Sequence, residues 1–439
     1  MVILAATPPM SHFAIAAILI SLAATAAWIN ARWLKLPTTI GLMLLALLHA
    51  LGILGIGLIY PPILQMAQGL VGAIDFNATL LHGMLGYLLF AGALHINLND
   101  LRQQQLVISL LATVAVLLTT FIVGGMTWWL TGVIQLELRL IDCLLFGALI
   151  APTDPIAVLA ILTKLGAPKS LETKIAGESL FNDGIGVVVF LALLGLAGSG
   201  HGQENIGVGT ITFMFAKEAL GGVVLGLVLG LMGYLLLKSL DDFKTEILIS
   251  LALVTGGYAL CLSLHVSGPI AMVICGLAIG NHGRALAMSQ TTREHLDSFW
   301  ELVDEILNAI LFVLIGLEVL VVNLAPTYLA VGLLAIPATL AARFVSVGVM
   351  VRALQWRRTF TPHVVKIMTW AGLRGGISIA LALSLKDEAG STQAGASDLI
   401  VTMTYVVVVF SILVQGVTIG PLLRRCGAVT TATDTVSKT

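Results

Sequence analysis

"GALIAPTDPIAVLAI", residues 147–161, reads as a membrane helix interrupted in its own middle. Apolar side chains flank the break, yet Pro152 and Pro155 remove two backbone donors, and polar Thr153 and Asp154 lie between them. A proline inside a helix deletes one hydrogen bond to the turn before it and presses on that turn's carbonyl. Backbone left open at membrane depth survives only where protein or a water-filled cavity satisfies it. The stretch therefore predicts a broken helix that faces the protein interior and not lipid.

The rest of the chain supports a membrane setting. Of its 439 residues 58% are hydrophobic and 10% charged, where soluble domains average about 25% charged. Mean hydropathy is +1.03. Apolar segments of roughly 20 residues, each long enough for about 30 Å of hydrocarbon, recur throughout. They divide into thirteen predicted spans, 11–30, 38–58, 77–97, 105–132, 141–163, 173–197, 209–236, 246–265, 268–283, 299–322, 326–351, 363–385 and 397–422.

Lysine and arginine test that count independently, because cytoplasmic loops collect positive charge. With the N-terminus outside and the C-terminus cytoplasmic, 17 of the 22 fall on the cytoplasmic side, 3 on the other, and Arg343 and Arg374 inside spans. Omitting one span would invert every later loop and destroy the bias. The first residues lack a basic n-region and run into a full-length apolar span, so they read as retained helix and not a cleaved signal. The expected location is the plasma (inner) membrane, crossed many times, with lipid as surroundings.

A net charge of -1 without a basic stripe argues against nucleic acid. Cys143, Cys261, Cys275 and Cys426 stand singly and suggest neither disulfides nor zinc, so they read as packing residues. The chain from 426 to 439 ends in "TTATDTVSKT", polar enough to be expected disordered.

A second interruption appears in "TWAGLRGGISIALAL", residues 369–383, where Gly372, Gly375 and Gly376 surround Arg374. Interrupted segments in matching positions of two halves point to a transporter site. Taking residues 1–198 (spans 1–6) as one repeat, 199–244 as a linker with span 7, and 245–425 (spans 8–13) as the other sets span 5 against span 12. An odd linker between six-span units makes the repeats inverted. The predicted fold is thus all-α and polytopic, with broken helices at 151–155 and 372–376.

Between the breaks in sequence lies "GESLFNDGIGVVVF", residues 177–190. Ser179 and Asp183 are one turn apart and share a helical face, while Glu178 and Asn182 share another. Hydroxyl and carboxylate oxygens are the ligands a hard alkali cation takes. Arg343, in span 11, is the natural partner for Glu178, since a buried charge is far cheaper paired than alone. Asp154 and Arg374 are placed to neutralise exposed half-helix ends, the acid near N-terminal and the arginine near C-terminal dipoles.

Five segments in this order, "APTDPIAVLAIL", "GESLFNDGIGVVVF", "HVSGPIAMVICGLAIG", "LFVLIGLE" and "AGLRGGISIALAL", resemble the NhaP-type sodium/proton antiporters of the monovalent cation/proton antiporter family. The resemblance covers about residues 11–425. It implies a thirteen-helix inverted-repeat homodimer that exchanges Na⁺ or Li⁺ for H⁺ through an elevator-like movement, without a cofactor and without enzymatic chemistry. By the same resemblance Asp183 is the carboxylate that binds cation or proton, and Ser179 and Thr153 supply oxygens to the Na⁺, with Asp154 close by. Asn182 steadies the crossing breaks together with Arg374, and Glu178 with Arg343 forms a structural ion pair. The Asn182-Asp183 pair is similar to the electroneutral branch.

Potassium/proton exchange on the same fold is the nearest alternative, because ligand type does not set cavity size. An intramembrane aspartic protease would need Asp154 and Asp183 about 3 Å apart sharing a proton. A channel would need a continuous filter, which the sequence does not offer. Glu301, Asp304 and Glu305 are read as opening span 10 at a helix N-terminus rather than as a cation funnel. Glu318 is read as either an outer entrance or a solvated helix end. Gly222, Gly226 and Gly230, at four-residue spacing, predict close packing of span 7.

Overall fold

A computed structural model describes residues 12–136, 138–198, 208–387 and 395–428. In chain order the helices are α1 (His12–Ile29), α2 (Thr38–Gly57), α3 (Pro61–Gly72), α4 (Leu85–Leu94), α5 (Leu98–Ala112), α6 (Val114–Val133), α7 (Leu140–Ile150), α8 (Ile156–Lys164), α9 (Lys169–Gly198) and α10 (Val208–Lys238). There follow α11 (Phe243–Ser263), α12 (Gly268–Ala278), α13 (Arg284–Leu286), α14 (Gln290–Leu317), α15 (Pro326–Leu354), α16 (Val364–Ala371), α17 (Gly376–Asp387), α18 (Ala396–Phe410) and α19 (Gly416–Arg425). Among the described residues the backbone is helical apart from turns and one isolated antiparallel bridge. Residues 1–11, most of the polar connection 198–208 and the tail beyond 428, for which disorder is expected, lie outside the described residues.

Eight helices among the described residues are long and apolar enough to cross a membrane by length and composition. Ala78–Leu94, Leu140–Ile150, Gly268–Gly283 and Gly376–Lys386 are shorter apolar helices. The protein is a multi-pass, all-helical membrane protein. Wide π-turns join several neighbouring segments, among them Ala78–Met84 into α4 and Ser411–Gln415 between α18 and α19.

Three features differ from the sequence expectation. The connection near 58–77 contains α3, started by Pro61 and Pro62, and Gln68 Nε2 on it donates to Leu320 O at 2.8 Å. The fourth span begins at Leu98, because Asn97 caps α5 by accepting from Asn99 N. Most consequential, α14 starts at Gln290, capped by Ser289, whose Oγ accepts from Thr292 N. Its polar first turns carry no apolar signature, so hydropathy alone starts that helix nine residues late at 299.

Two apolar clusters hold the bundle together, a larger one on α2, α6, α7, α15 and α18 and a second on α4, α11 and α12. Trp300 of α14 is fully enclosed in the second, its ring tilted against Phe90 at 4.7 Å between centroids and its Nε1 donating to Ser250 Oγ at 3.0 Å. The glycine stripe of α10 packs on α12 as its spacing predicts. A Cβ at Gly226 would stand 2.6 Å from Ala271 O and 3.0 Å from Ala271 Cα, both backbone atoms that cannot swing aside. Gly226→Val is expected to destabilise the fold by about 1–3 kcal/mol. A thermal melt in detergent checks this, and an unshifted midpoint would show the helices are not locked there.

Candidate functional site

Both predicted breaks are present, and they meet. The helix of span 5 stops at Ile150 and resumes at Ile156, and that of span 12 stops at Ala371 and resumes at Gly376. Between them Asp154 N donates to Leu373 O at 2.9 Å, the one bridge of extended backbone among the described residues. Glycine is required for the approach: a Cβ at Gly375 would fall 2.7 Å from Asp154 Oδ2, and one at Gly372 would lie 2.9 Å from Arg343 Nε.

Each open helix end has a partner. Arg374, 2% exposed, donates Nη1 to Ala151 O and to Pro152 O, each at 3.0 Å, at the C-terminal end of α7. Asp154 Oδ1 accepts from Ile156 N at 2.9 Å in the first turn of α8. A cation on terminal carbonyls and an anion on terminal amides are the favourable pairings with the helix dipole. Sequence reasoning missed two further supports: Ser411 Oγ accepts from Arg374 N at 2.9 Å, and Gln415 Nε2 donates to Trp370 O at 3.0 Å. Both sit on the π-turn after α18, which re-aims them at the break.

Span 6, here α9, crosses beside the junction. Thr153 Oγ1 and Ser179 Oγ are 2.9 Å apart, and Asn182 Nδ2 donates to Thr153 Oγ1 at 2.9 Å while Asn182 Oδ1 accepts from Thr153 N at 3.3 Å. Asn182 thus reaches the break as Ser179 does, while Glu178, one turn before it on the same face of α9, pairs elsewhere. Three residues apart is close enough for both to reach one unwound strand. Glu178 Oε1 lies 2.5 Å from Arg343 Nη1, both side chains 2% exposed, so the pair inferred from sequence forms between α9 and α15.

A cavity of about 440 Å³ reaches the junction, lined by Thr153, Asp154, Ser179 and Asp183. Toward solvent its wall includes exposed His95 and Asn97 and the Lys169–Glu172 ion pair at 3.3 Å. Asp304 also lines it. The sequence reading put this residue at a helix N-terminus, but α14 begins at Gln290, so Asp304 is four turns into the helix and opposite the break. Glu318 is 4% exposed at the C-terminal end of α14, enclosed by protein, which overturns both readings offered for it. Among the described residues no cluster of histidine, cysteine and carboxylates has the arrangement of a resident metal site. The four cysteines are free thiols, three of them buried.

Residues 18–425 match the family described as "Sodium/hydrogen exchanger, transmembrane". The chain is 46% identical over 411 residues to the Na⁺/H⁺ antiporter NhaP of Pseudomonas aeruginosa, covering 92% of this chain and 95% of that protein. It is 34% identical over 404 residues to the Na⁺/H⁺ antiporter NhaH of Halobacillus dabanensis, covering 91% and 94%. The solved structure of the sodium proton antiporter MjNhaP1 from Methanocaldococcus jannaschii at pH 8 superposes with a TM-score of 0.73 at 21% identity, over 94% of this chain and 98% of that one. That likeness is one of fold. On the family match and the extent of these identities, the chain belongs to the sodium/hydrogen exchanger family.

Proposed function

We propose that the protein exchanges Na⁺ or Li⁺ for H⁺ across the inner membrane, one for one, by competition at Asp183. The observation that carries this is the convergence of Thr153, Asp154, Ser179 and Asp183 on a single cavity at the meeting point of two interrupted helices. The oxygens there are the ligands an alkali ion takes when it sheds water. The Asp183 carboxylate cannot hold a proton and a coordinated cation at once, so loading one expels the other. If the empty ionised site does not cross, exchange is obligatory. One titrating carboxylate trades one H⁺ for one monovalent cation, hence electroneutrality.

Within this reading Ser179 and Thr153 offer oxygens to Na⁺ and Asp154 stays close as an electrostatic partner. Asn182 and Arg374 hold the breaks, and Glu178 with Arg343 is a structural pair. Residues 1–198 and 245–425 act as inverted repeats around the linker 199–244. The crossing of corresponding segments from the two halves supports that division. The working unit is a homodimer with its N-terminus outside and C-terminus in the cytoplasm, an orientation that rests on the loop charges.

The test uses purified protein in liposomes with an imposed pH gradient, challenged with Na⁺, Li⁺ and K⁺, with and without a potassium ionophore to clamp voltage. Na⁺ and Li⁺ are expected to dissipate the gradient, unaffected by the clamp, and K⁺ is expected to do so poorly. Competition also fixes the pH response: where Asp183 is mostly protonated, each unit of acidification should raise the apparent KM for Na⁺ about tenfold. A KM independent of pH, with the rate alone changing, would refute a shared site.

A further inference from the structure

We infer that the Asp304 carboxylate and the Asn308 amide of α14 form a second, transient station for the monovalent cation, which loads it before it reaches Asp183. The inference rests on the exchange reading above and names a further part of its path. Asp304 and Leu311 both line the cavity. Asn308, one turn beyond Asp304 and less than one turn before Leu311, falls in the same helical sector. The Asn308 side chain is 3% exposed and its amide nitrogen is turned to the Asp304 carboxylate, while its amide oxygen has no donor in hydrogen-bond geometry. A carbonyl oxygen buried without a partner costs roughly 1–3 kcal/mol, so its presence calls for a compensating ligand or water.

The charge around the station favours a cation. Asp100, Asp154, Glu172, Asp183 and Asp304 line the cavity against one lysine, Lys169, which is itself paired with Glu172. Asp154, Asp183 and Asp304 line the same cavity, so their like charges add there. A carboxylate and an amide carbonyl are hard oxygen donors suited to an alkali ion that keeps part of its water shell. Such a station concentrates cation next to the exchange site without taking part in the proton swap. It therefore acts on apparent affinity and not on turnover.

The experiment measures Na⁺-driven dissipation of a pH gradient in liposomes as a function of Na⁺ concentration. Asp304→Asn is expected to raise the apparent KM for Na⁺ about tenfold, the lower end of what focused charge achieves, with the rate at saturating Na⁺ kept. Asp304→Glu should restore KM to within about twofold of wild type on the same argument. Adding choline chloride to roughly 0.5 M, which shortens the screening length to a few ångströms, should leave the gap between Asp304→Asn and wild type in place. Collapse of that gap would mean only long-range attraction and overturns the station. An unchanged KM, or a lower saturating rate at unchanged KM, overturns it too. Should Asp304→Asn not yield monodisperse protein, Asn308→Ala must raise KM in the same direction, and an unaltered value sinks the idea. If Asp183→Asn is silent while Asp304→Asn behaves as wild type, exchange at Asp183 stands and the station alone falls.

Discussion

Asp183→Asn is expected to give a folded, monodisperse protein whose exchange falls to the background of empty liposomes. The substitution keeps the shape of the side chain and two of its hydrogen-bonding positions. It removes the one property exchange needs, a group that is neutral with a proton and anionic without it. Thr153, Ser179 and Asn182 hold one another in a closed set of hydrogen bonds that does not pass through Asp183, so the junction should persist. A melt within a few degrees of wild type, with no flux for Na⁺ or Li⁺ at any pH, is the predicted pair of results. Full exchange in this variant would place the chemistry elsewhere. Loss of peptide cleavage instead of cation flux would revive the protease reading.

Arg343→Ala is expected to have the largest effect on stability. Its guanidinium sits 2.5 Å from Glu178, both side chains enclosed, and against Gly372 at the second break. Removing one partner strands a buried carboxylate, which costs on the order of 3–5 kcal/mol. A melt in detergent should show a strong drop, or the protein should fail to reach the membrane. The double variant Glu178→Leu with Arg343→Met should recover most of the loss, since apolar replacements of a buried pair are often neutral or stabilising. If the pair is structural, that double variant also exchanges cations. A stable double variant without exchange would give the pair a role in transport.

Much of the fold was legible because a bilayer imposes a coarse rule, length and apolarity of each helix, and the breaks announced themselves through Pro152, Pro155 and the glycines around Arg374. Even the direction of capping followed from dipoles, and Arg374 does lie on carbonyls and Asp154 on an amide. What hydropathy cannot register is the polar overhang of a helix. The nine residues from Gln290 to Ser298 look like loop, and the mistake moved Asp304 from the middle of a helix to its start. The π-turn that aims Ser411 and Gln415 leaves no mark in composition, because extra residues in a turn change facing and not polarity. Spacing put Asn182 on the face of Glu178 but could not show its bonds to Thr153, since an unwound strand can reach more than one helical face. Glu318 looked exposed only because helix ends usually are.

One consequence of the crossed backbone concerns heredity. Leu373 supplies the acceptor for Asp154, and Ala151 and Pro152 supply those for Arg374, across more than 200 positions of sequence. The acceptors are main-chain atoms that any residue supplies, so the half carrying Arg374 answers for the side chain and the other half only for the path of its backbone. A recombinant spliced between the halves should therefore work when one parent brings the arginine and the other a helix broken at the same place.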